Sequence, residues 1–236
     1  MPGEWWVDER VAAPTELHAS WPAAERDPGV KRMAVCQPTR PAIVLGSTQS
    51  SDSVDAEAAQ TAGVDVVRRR SGGGAVLVLP DDPVWVDLWL PAGDERWNSD
   101  VTVAFAWVGA AWATALGRVG LAGLEVQGSA PGACTQWSPH VCFGRIGAGE
   151  VSIGGRKVVG LAQRRNRTGV WFQTACVRHW DPTILVEMLN LPPRQRAAAV
   201  EDLAGSVTGV ADEVTARGGS APSAADLVAA FFDSLA

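Results

Sequence analysis

The order in which local patterns occur along the chain constrains its fold most. Short β-branched or alternating runs fall at Ala42–Gly46, Val64–Arg69, Ala75–Leu79 and Val84–Leu90, with glycine or proline between them. A second group of predicted strands covers 124–127, 139–143, 150–154, 157–163 and 169–177. Between the two groups, Val103, Ala104, Trp107, Val108, Ala111, Trp112 and Leu116 recur at helical spacing, from an N-cap at Ser99 or Asp100 to Gly120. Beyond Trp180 the texture turns helical, over 182–191, 197–203 and 222–235, the last capped by Ser220 or Ser223 with Pro222 near its start. The segment 205–221 is rich in Gly, Ser and Thr. Strands first and helices last predict an α+β fold with mixed, largely antiparallel sheets packed with helices, and not regular βαβ alternation. The four runs between 42 and 90 are expected to share one sheet. Within it, 75–90 reads as an antiparallel hairpin turned at Leu79-Pro80-Asp81-Asp82-Pro83. Gly154-Gly155 punctuates a later hairpin.

With 236 residues, 47% of them hydrophobic, the chain can build a substantial core. Its formal net charge of −6 argues against a general nucleic-acid surface, which needs a basic stripe. The basic clusters are local, at 68–70 and 164–167, and suit a small anionic ligand or an acidic protein partner. The longest apolar stretch, Val101 to Leu116, is short for a membrane span and reads as a buried helix. No secretory signal is apparent, so a cytoplasmic protein is expected. Cys36, Cys134, Cys142 and Cys176 show no C-x-x-C spacing; neither a disulfide nor a zinc site is expected, and each cysteine is assigned to the core. His18, His140 and His179 are too scattered to form a metal site. Asp81 and Asp82 read as turn residues. Asp87 shares a strand face with Trp85 and Trp89, either paired inside or solvated.

Two stretches carry chemistry: Arg68-Arg69-Arg70-Ser71-Gly72-Gly73-Gly74-Ala75-Val76 and, about ninety residues on, Gly155-Arg156-Lys157-Val158-Val159-Gly160-Leu161-Ala162-Gln163. Three successive glycines let the backbone approach a ligand and present N–H donors to an anion or carbonyl. The flanking arginines add charge. Of the twenty cationic residues, only Lys31 and Lys157 are lysine. A compact ammonium suits a point contact to a carbonyl or phosphate, where a guanidinium is a broad fork; the alternative is an ordinary surface lysine.

Together these stretches resemble the acyl-binding and lysine motifs of the lipoate–protein ligase, octanoyltransferase and biotin protein ligase family. The first matches its R-x-S-G-G-G-A-V element, and Pro41-Ala42-Ile43-Val44-Leu45-Gly46-Ser47-Thr48-Gln49 resembles its earlier strand and turn. The resemblance covers about residues 40 to 180. It implies a class II biotin/lipoate-ligase-like catalytic domain core over 1–180, with a helical segment over 181–236 packing on it. It also implies transfer of a lipoyl or octanoyl group to a lysine of a lipoyl-domain or glycine-cleavage H-type carrier protein, with no nucleic acid and no membrane as partners. The implied acyl-site residues are Gly46, Gln49, Arg69, Arg70, Ser71, Gly72, Gly73, Gly74, Ala75, Gly160 and Ala162. Lys157 would bind the acyl carbonyl and a bridging phosphate oxygen. Glu150 and Gly155 would border a nucleotide. A ligase implies ATP and Mg2+ with lipoic or octanoic acid, and at this length a separate accessory chain.

Several positions depart from the pattern. Val78 stands where a histidine is expected, Asp81-Asp82 replaces a Gly-Asn pair, Thr174-Ala175 replaces His-Gly, and Gly149-Glu150 replaces Asn-Asp. Cys142, fifteen residues before Lys157, matches the nucleophile of an octanoyltransferase branch that works through an acyl-thioester without ATP, and Glu150 fits that branch as well. That branch carries Gly-Gly-Arg where this chain has Gly72-Gly73-Gly74. Three readings follow: a ligase working through an acyl-adenylate, a Cys142 thioester transferase, and a non-catalytic acyl- or nucleotide-binding module. Cys142 is either the nucleophile or a structural thiol. His140, two residues earlier on an expected strand, is either its general base or an ordinary strand histidine.

Overall fold

The run Val84–Pro91 is buried along almost its whole length and sorts its side chains by parity. Val84, Val86, Leu88 and Leu90 face one hydrophobic core, whereas Trp85 and Trp89 face another. A strand covered on both faces belongs at the centre of a sheet. The computed structural model describes residues 5–130 and 132–235 and places it there.

In chain order the elements are β1 (Trp6–Ala12), α1 (Pro14–Ala19), α2 (Pro22–Arg26), β2 (Arg32–Pro38), β3 (Ala42–Leu45), α3 (Ala56–Thr61), β4 (Asp65–Arg68) and β5 (Val76–Val78). Then follow β6 (Val84–Pro91), α4 (Ala106–Arg118), β7 (Leu124–Val126), β8 (Val151–Ile153), β9 (Arg156–Arg165) and β10 (Gly169–Cys176). The chain ends in α5 (Thr183–Glu187), α6 (Pro193–Ser206), α7 (Val210–Ala216) and α8 (Ala224–Asp233). A seven-stranded sheet runs β1-β2-β6-β10-β9-β8-β7 with only β1 and β2 parallel, and a three-stranded sheet runs β4-β3-β5. The mixed α+β architecture agrees with the expectation from pattern order.

Three details differ from it. The runs between 42 and 90 divide between two sheets, because β5 pairs with β3 while β6 pairs with β2 and β10. The expected 75–90 hairpin is therefore a crossover. Asp82 holds it by accepting the amides of Arg178 (3.0 Å) and His179 (2.8 Å). Residues 139–143 form no strand; the chain turns there and enters a 3₁₀ turn at Cys142–Gly144. The glycine- and serine-rich stretch after 205 contains α7.

Helix α4 starts after a 3₁₀ turn at Val103–Phe105, whose entry Asp100 caps by accepting the amides of Thr102 and Val103. Ser223 and Asp226 form a reciprocal capping box on α8. These two helices cover one face of the large sheet, with Trp112 and Phe231 stacked at 4.1 Å between ring centres. Each such buried aromatic contributes on the order of 2–3 kcal/mol. The helix α6 packs against the Cys142–Gly144 turn in a separate core built on Ile43, Leu45, Val141 and Phe143. Among the described residues no helix is long and apolar enough to cross a membrane.

Asp87 is paired inside. It is fully buried, accepts the Trp85 indole N–H at 2.7 Å and lies 3.5 Å from Cys36 Sγ and 3.8 Å from Arg10. Burial is the main cause that pushes its carboxyl up to about 6. Between about pH 4 and 6 the folded chain then holds a proton that the unfolded chain releases, so this group's contribution to stability falls as pH rises through that window. Two pH units correspond to about 3 kcal/mol. Urea unfolding at pH 4.5 and 7.5 is expected to show that part of the slope in the wild type and not in Asp87→Asn.

Candidate functional site

The glycine loop is shaped from beneath by Arg69. This buried guanidinium donates to the carbonyls of Gly72 (2.8 Å), Gly74 (2.8 Å) and Val44 (3.1 Å). Its donors are largely spent on the backbone, so Arg69 is a scaffold for the loop more than a charge offered to a ligand. Arg68 likewise donates to the carbonyls of Gly46 and Gln49. Arg70 is exposed and lines neither of the cavities described below. The amides of Gly72, Gly73 and Gly74 make no hydrogen bond among the described residues, and Gly72 and Gly73 are exposed.

Two glycines are fixed by close approach. A Cβ on Gly46 would collide with the Gly73 carbonyl, and one on Gly74 would lie 2.6 Å from the Cys142 amide nitrogen. Gln49 closes the Gly46 turn by accepting its amide at 2.9 Å and donating to the His140 carbonyl at 3.0 Å. Ala75 completes the seam: its amide donates to the His140 carbonyl (2.8 Å) and its carbonyl accepts the Cys142 amide (2.9 Å). Gly74→Ala is expected to destabilise the fold by about 2–3 kcal/mol through this overpacking. Gly72→Ala, which meets nothing within 4 Å, should leave the melting temperature near the wild type. Thermal denaturation of the two variants checks the contrast.

The seam sets Cys142 against the loop, with Sγ 3.3 Å from where a Cβ on Gly73 would stand. The Cys142 turn is held from the other side by Lys157, which is fully buried on β9. Its Nζ lies 2.7 Å from Glu150 and donates to the carbonyls of Cys142 and Arg145, each at 3.1 Å, above the Phe143 ring. Three donors thus meet three protein acceptors. Glu150 is equally committed, because it also accepts the amides of Gly147 (2.6 Å) and Leu161 (3.0 Å).

Two cavities meet at this point. One is apolar, between Trp85, Gly160, Ala162 and Ala175 of the large sheet and Val44, Val76 and Val78 of the small one. Small residues at 160, 162 and 175 leave its floor open, and a Cβ on Gly160 would already stand 3.0 Å from Phe143. The other is a polar cleft lined by Gln49, Gly72 to Gly74, His140, Arg145, Glu150 and Lys157. Cys142, Leu161 and Ala162 line both.

The structure thus gathers Gln49, Arg69, Gly72 to Gly74, Cys142, Glu150, Lys157, Gly160 and Ala162, with Gly46, Ser71 and Ala75 directly behind them. Gly155 stands apart, in the β8–β9 turn at φ +76, beside Cys134 and Ser206. Gly155 is outside the cleft, whereas Glu150 lines it and is engaged by Lys157 and two amides. Among the described residues there is no group of three or more His, Cys, Asp or Glu able to hold a metal. His140 lines the cleft, but the 3₁₀ turn removes the shared strand face expected for it and Cys142. Of the other cysteines, Cys36 and Cys176 are buried while Cys134 is exposed, contrary to its assignment to the core.

Among the pocket residues that sequence reading did not single out are Gln173 and His18. Gln173 is a polar residue within the apolar run of β10, a visible signal. His18 comes from α1, an element with no motif around it.

Comparison with known proteins agrees with this geometry. Residues 17–236 match the model of the lipoyl protein ligase A/B catalytic domain. The chain is 29% identical over 163 residues to octanoyltransferase LipM of Moorella thermoacetica, a match spanning 67% of this chain and 59% of that protein's length. A lipoate-protein ligase A solved with ATP shares the fold at a TM-score of 0.73 and 20% identity, covering 99% of this chain and 84% of that one. A bi-partite lipoate protein ligase from Thermoplasma acidophilum does so at 0.68 and 17%, covering 97% and 82%. With its glycine loop, buried lysine and apolar pocket placed in one site, the chain belongs to the lipoyl protein ligase A/B catalytic-domain family.

Proposed function

We propose that this protein transfers an octanoyl- or lipoyl-type acyl group from a thioester donor to a lysine of a lipoyl-domain carrier, through a thioester on Cys142. The observation that carries this reading is the position of Cys142, the one thiol at the junction of the apolar pocket and the polar cleft among the described residues. An acyl chain lying in the pocket would present its carbonyl carbon to Sγ there. In the first step the Cys142 sulfur bonds to that carbon and the donor thiol leaves, taking a proton. In the second, the carrier lysine amine attacks the same carbon, an amide forms, and Cys142 recovers its proton as a thiol. The amides of Gly72 to Gly74 are the donors available to the oxyanion of both steps. Lys157 acts as a positioning residue, since its donors hold the Cys142 turn.

A second reading, activation of the free acid as an acyl-adenylate, is supported by the same three amides, which would suit a phosphate as well as an oxyanion. Gly155, which stands outside the cleft, gives it no help. Intact mass spectrometry separates the two. The protein is mixed with an apo lipoyl domain and either an octanoyl-carrier thioester or lipoate with ATP and magnesium. Modification from the thioester alone, through an acyl adduct on the protein, supports the transferase. Modification only with ATP and magnesium overturns it in favour of the ligase, and none under either condition leaves an acyl-binding module.

A further inference from the structure

A second cavity adjoins the apolar pocket, and the Phe143 ring stands between the two. Val76, Pro83 and Phe143 line both, while Leu77, Val177, Trp180 and Leu185 help to enclose the second. The second is the larger, about 160 Å³ against about 60 Å³. The ring reaches from one to the other. Its Cζ lies 3.0 Å from where a Cβ on Gly160 would stand in the apolar pocket, and it tilts against Trp180 of the second cavity at 5.6 Å between ring centres. The pairing of the large sheet gives the direction. Ala162, which also lines the polar cleft, pairs with Gln173; two residues further in, Gly160 pairs with Ala175, and Ala175 with Trp85. Val177 of the second cavity follows two residues after Ala175. A chain entering from the cleft and running along β9 and β10 therefore meets the Phe143 wall before it can reach Val177. The charged side chains around the second cavity are occupied: Asp82 accepts the amides of Arg178 and His179, Asp181 accepts the Thr183 amide, and His179 pairs with Asp212 at 3.0 Å.

A packed wall at that depth makes the pocket sensitive to chain length, because methylenes that cannot pass it gain no burial. We infer that Phe143, with Val76 and Pro83, sets the longest acyl chain the pocket accepts, and that the second cavity is the space a longer chain enters once this wall is trimmed. Phe143 is thus a specificity-determining residue for the hydrocarbon end of the substrate. The inference rests on the acyl-pocket reading but not on Cys142 as nucleophile or on the chemical route.

The test is calorimetric binding of octanoic and dodecanoic acid to the intact protein, read as the ratio of the two affinities within each variant, whatever either affinity is alone. Wild type is expected to bind dodecanoic acid no more tightly than octanoic acid. Each methylene newly buried is worth about fourfold in affinity, so Phe143→Ala should raise the ratio about tenfold or more in favour of dodecanoic acid. Val76→Ala trims the same wall from β5 and should raise it about threefold. Ile184 lines the second cavity from its exposed side, and adding Ile184→Trp to Phe143→Ala should fill that space and return the ratio toward wild type. A pocket that was merely loosened would not respond to that addition. If Phe143→Ala proves unfolded by circular dichroism, Val76→Ala decides. Tighter binding of dodecanoic acid by wild type, a ratio unchanged in the folded variants, or a raised ratio that Ile184→Trp leaves in place each overturns the inference while leaving the pocket standing. Failure of both acids to bind wild type removes the acyl pocket and the inference with it.

Discussion

Cys142→Ala is expected to abolish carrier modification from an octanoyl thioester, a fall on the order of a thousandfold or more, with the protein still folded. The size follows from the role: without Sγ no acyl-enzyme forms, and the remaining amides can only orient the two substrates. The stability should scarcely move. Cys142 is half-buried, and its Sγ makes no hydrogen bond among the described residues, so truncation is expected to cost within about 1 kcal/mol in urea unfolding. Cys142→Ser keeps the shape but offers a weaker nucleophile, and should transfer slowly or stall as an acyl ester visible by mass. Wild-type rates in Cys142→Ala would end the route through a thioester on Cys142.

The strands between 42 and 90 were legible because each run had its own punctuation, and α4 and α8 because they carry both periodicity and caps, whereas β1, β2 and α1 to α3 were not read from the pattern. What the pattern could not express was partnership. Val76–Val78 and Val84–Pro91 are both good strands, yet nothing local tells that they belong to different sheets, since pairing is decided by long-range packing. The 3₁₀ turn at Cys142–Gly144 was read as a strand because Val141, Cys142 and Phe143 are apolar for another reason. They pack into the core beneath α6 instead of alternating across a sheet. The site shows the same division. The glycine loop and Lys157 announce themselves by composition, whereas His18 is remote in sequence and becomes a pocket residue only when α1 folds over β6 and β10. Arg69 was legible as a cation next to glycines, but its work on the loop's own carbonyls appears only in the folded geometry.

Lys157→Met should destabilise the fold by about 3–5 kcal/mol, the range for breaking a buried ion pair from one side. Methionine roughly matches the lysine in length, so the loss is electrostatic. Glu150, 4% exposed, forfeits its counter-ion, and the carbonyls of Cys142 and Arg145 lose their donor. Adding Glu150→Gln to this variant removes the orphaned charge, so the double variant should recover part of the loss in a double-mutant cycle. The same geometry explains a lysine in a chain that otherwise prefers arginine. Three acceptors converge on one nitrogen in a fully buried space above Phe143, a point that an ammonium fills and a planar fork overfills. Lys157→Arg is therefore expected to cost about 2–3 kcal/mol although the charge is kept. Urea unfolding that finds Lys157→Arg as stable as wild type would show that charge alone matters there, and that the Cys142 turn does not depend on the lysine's shape.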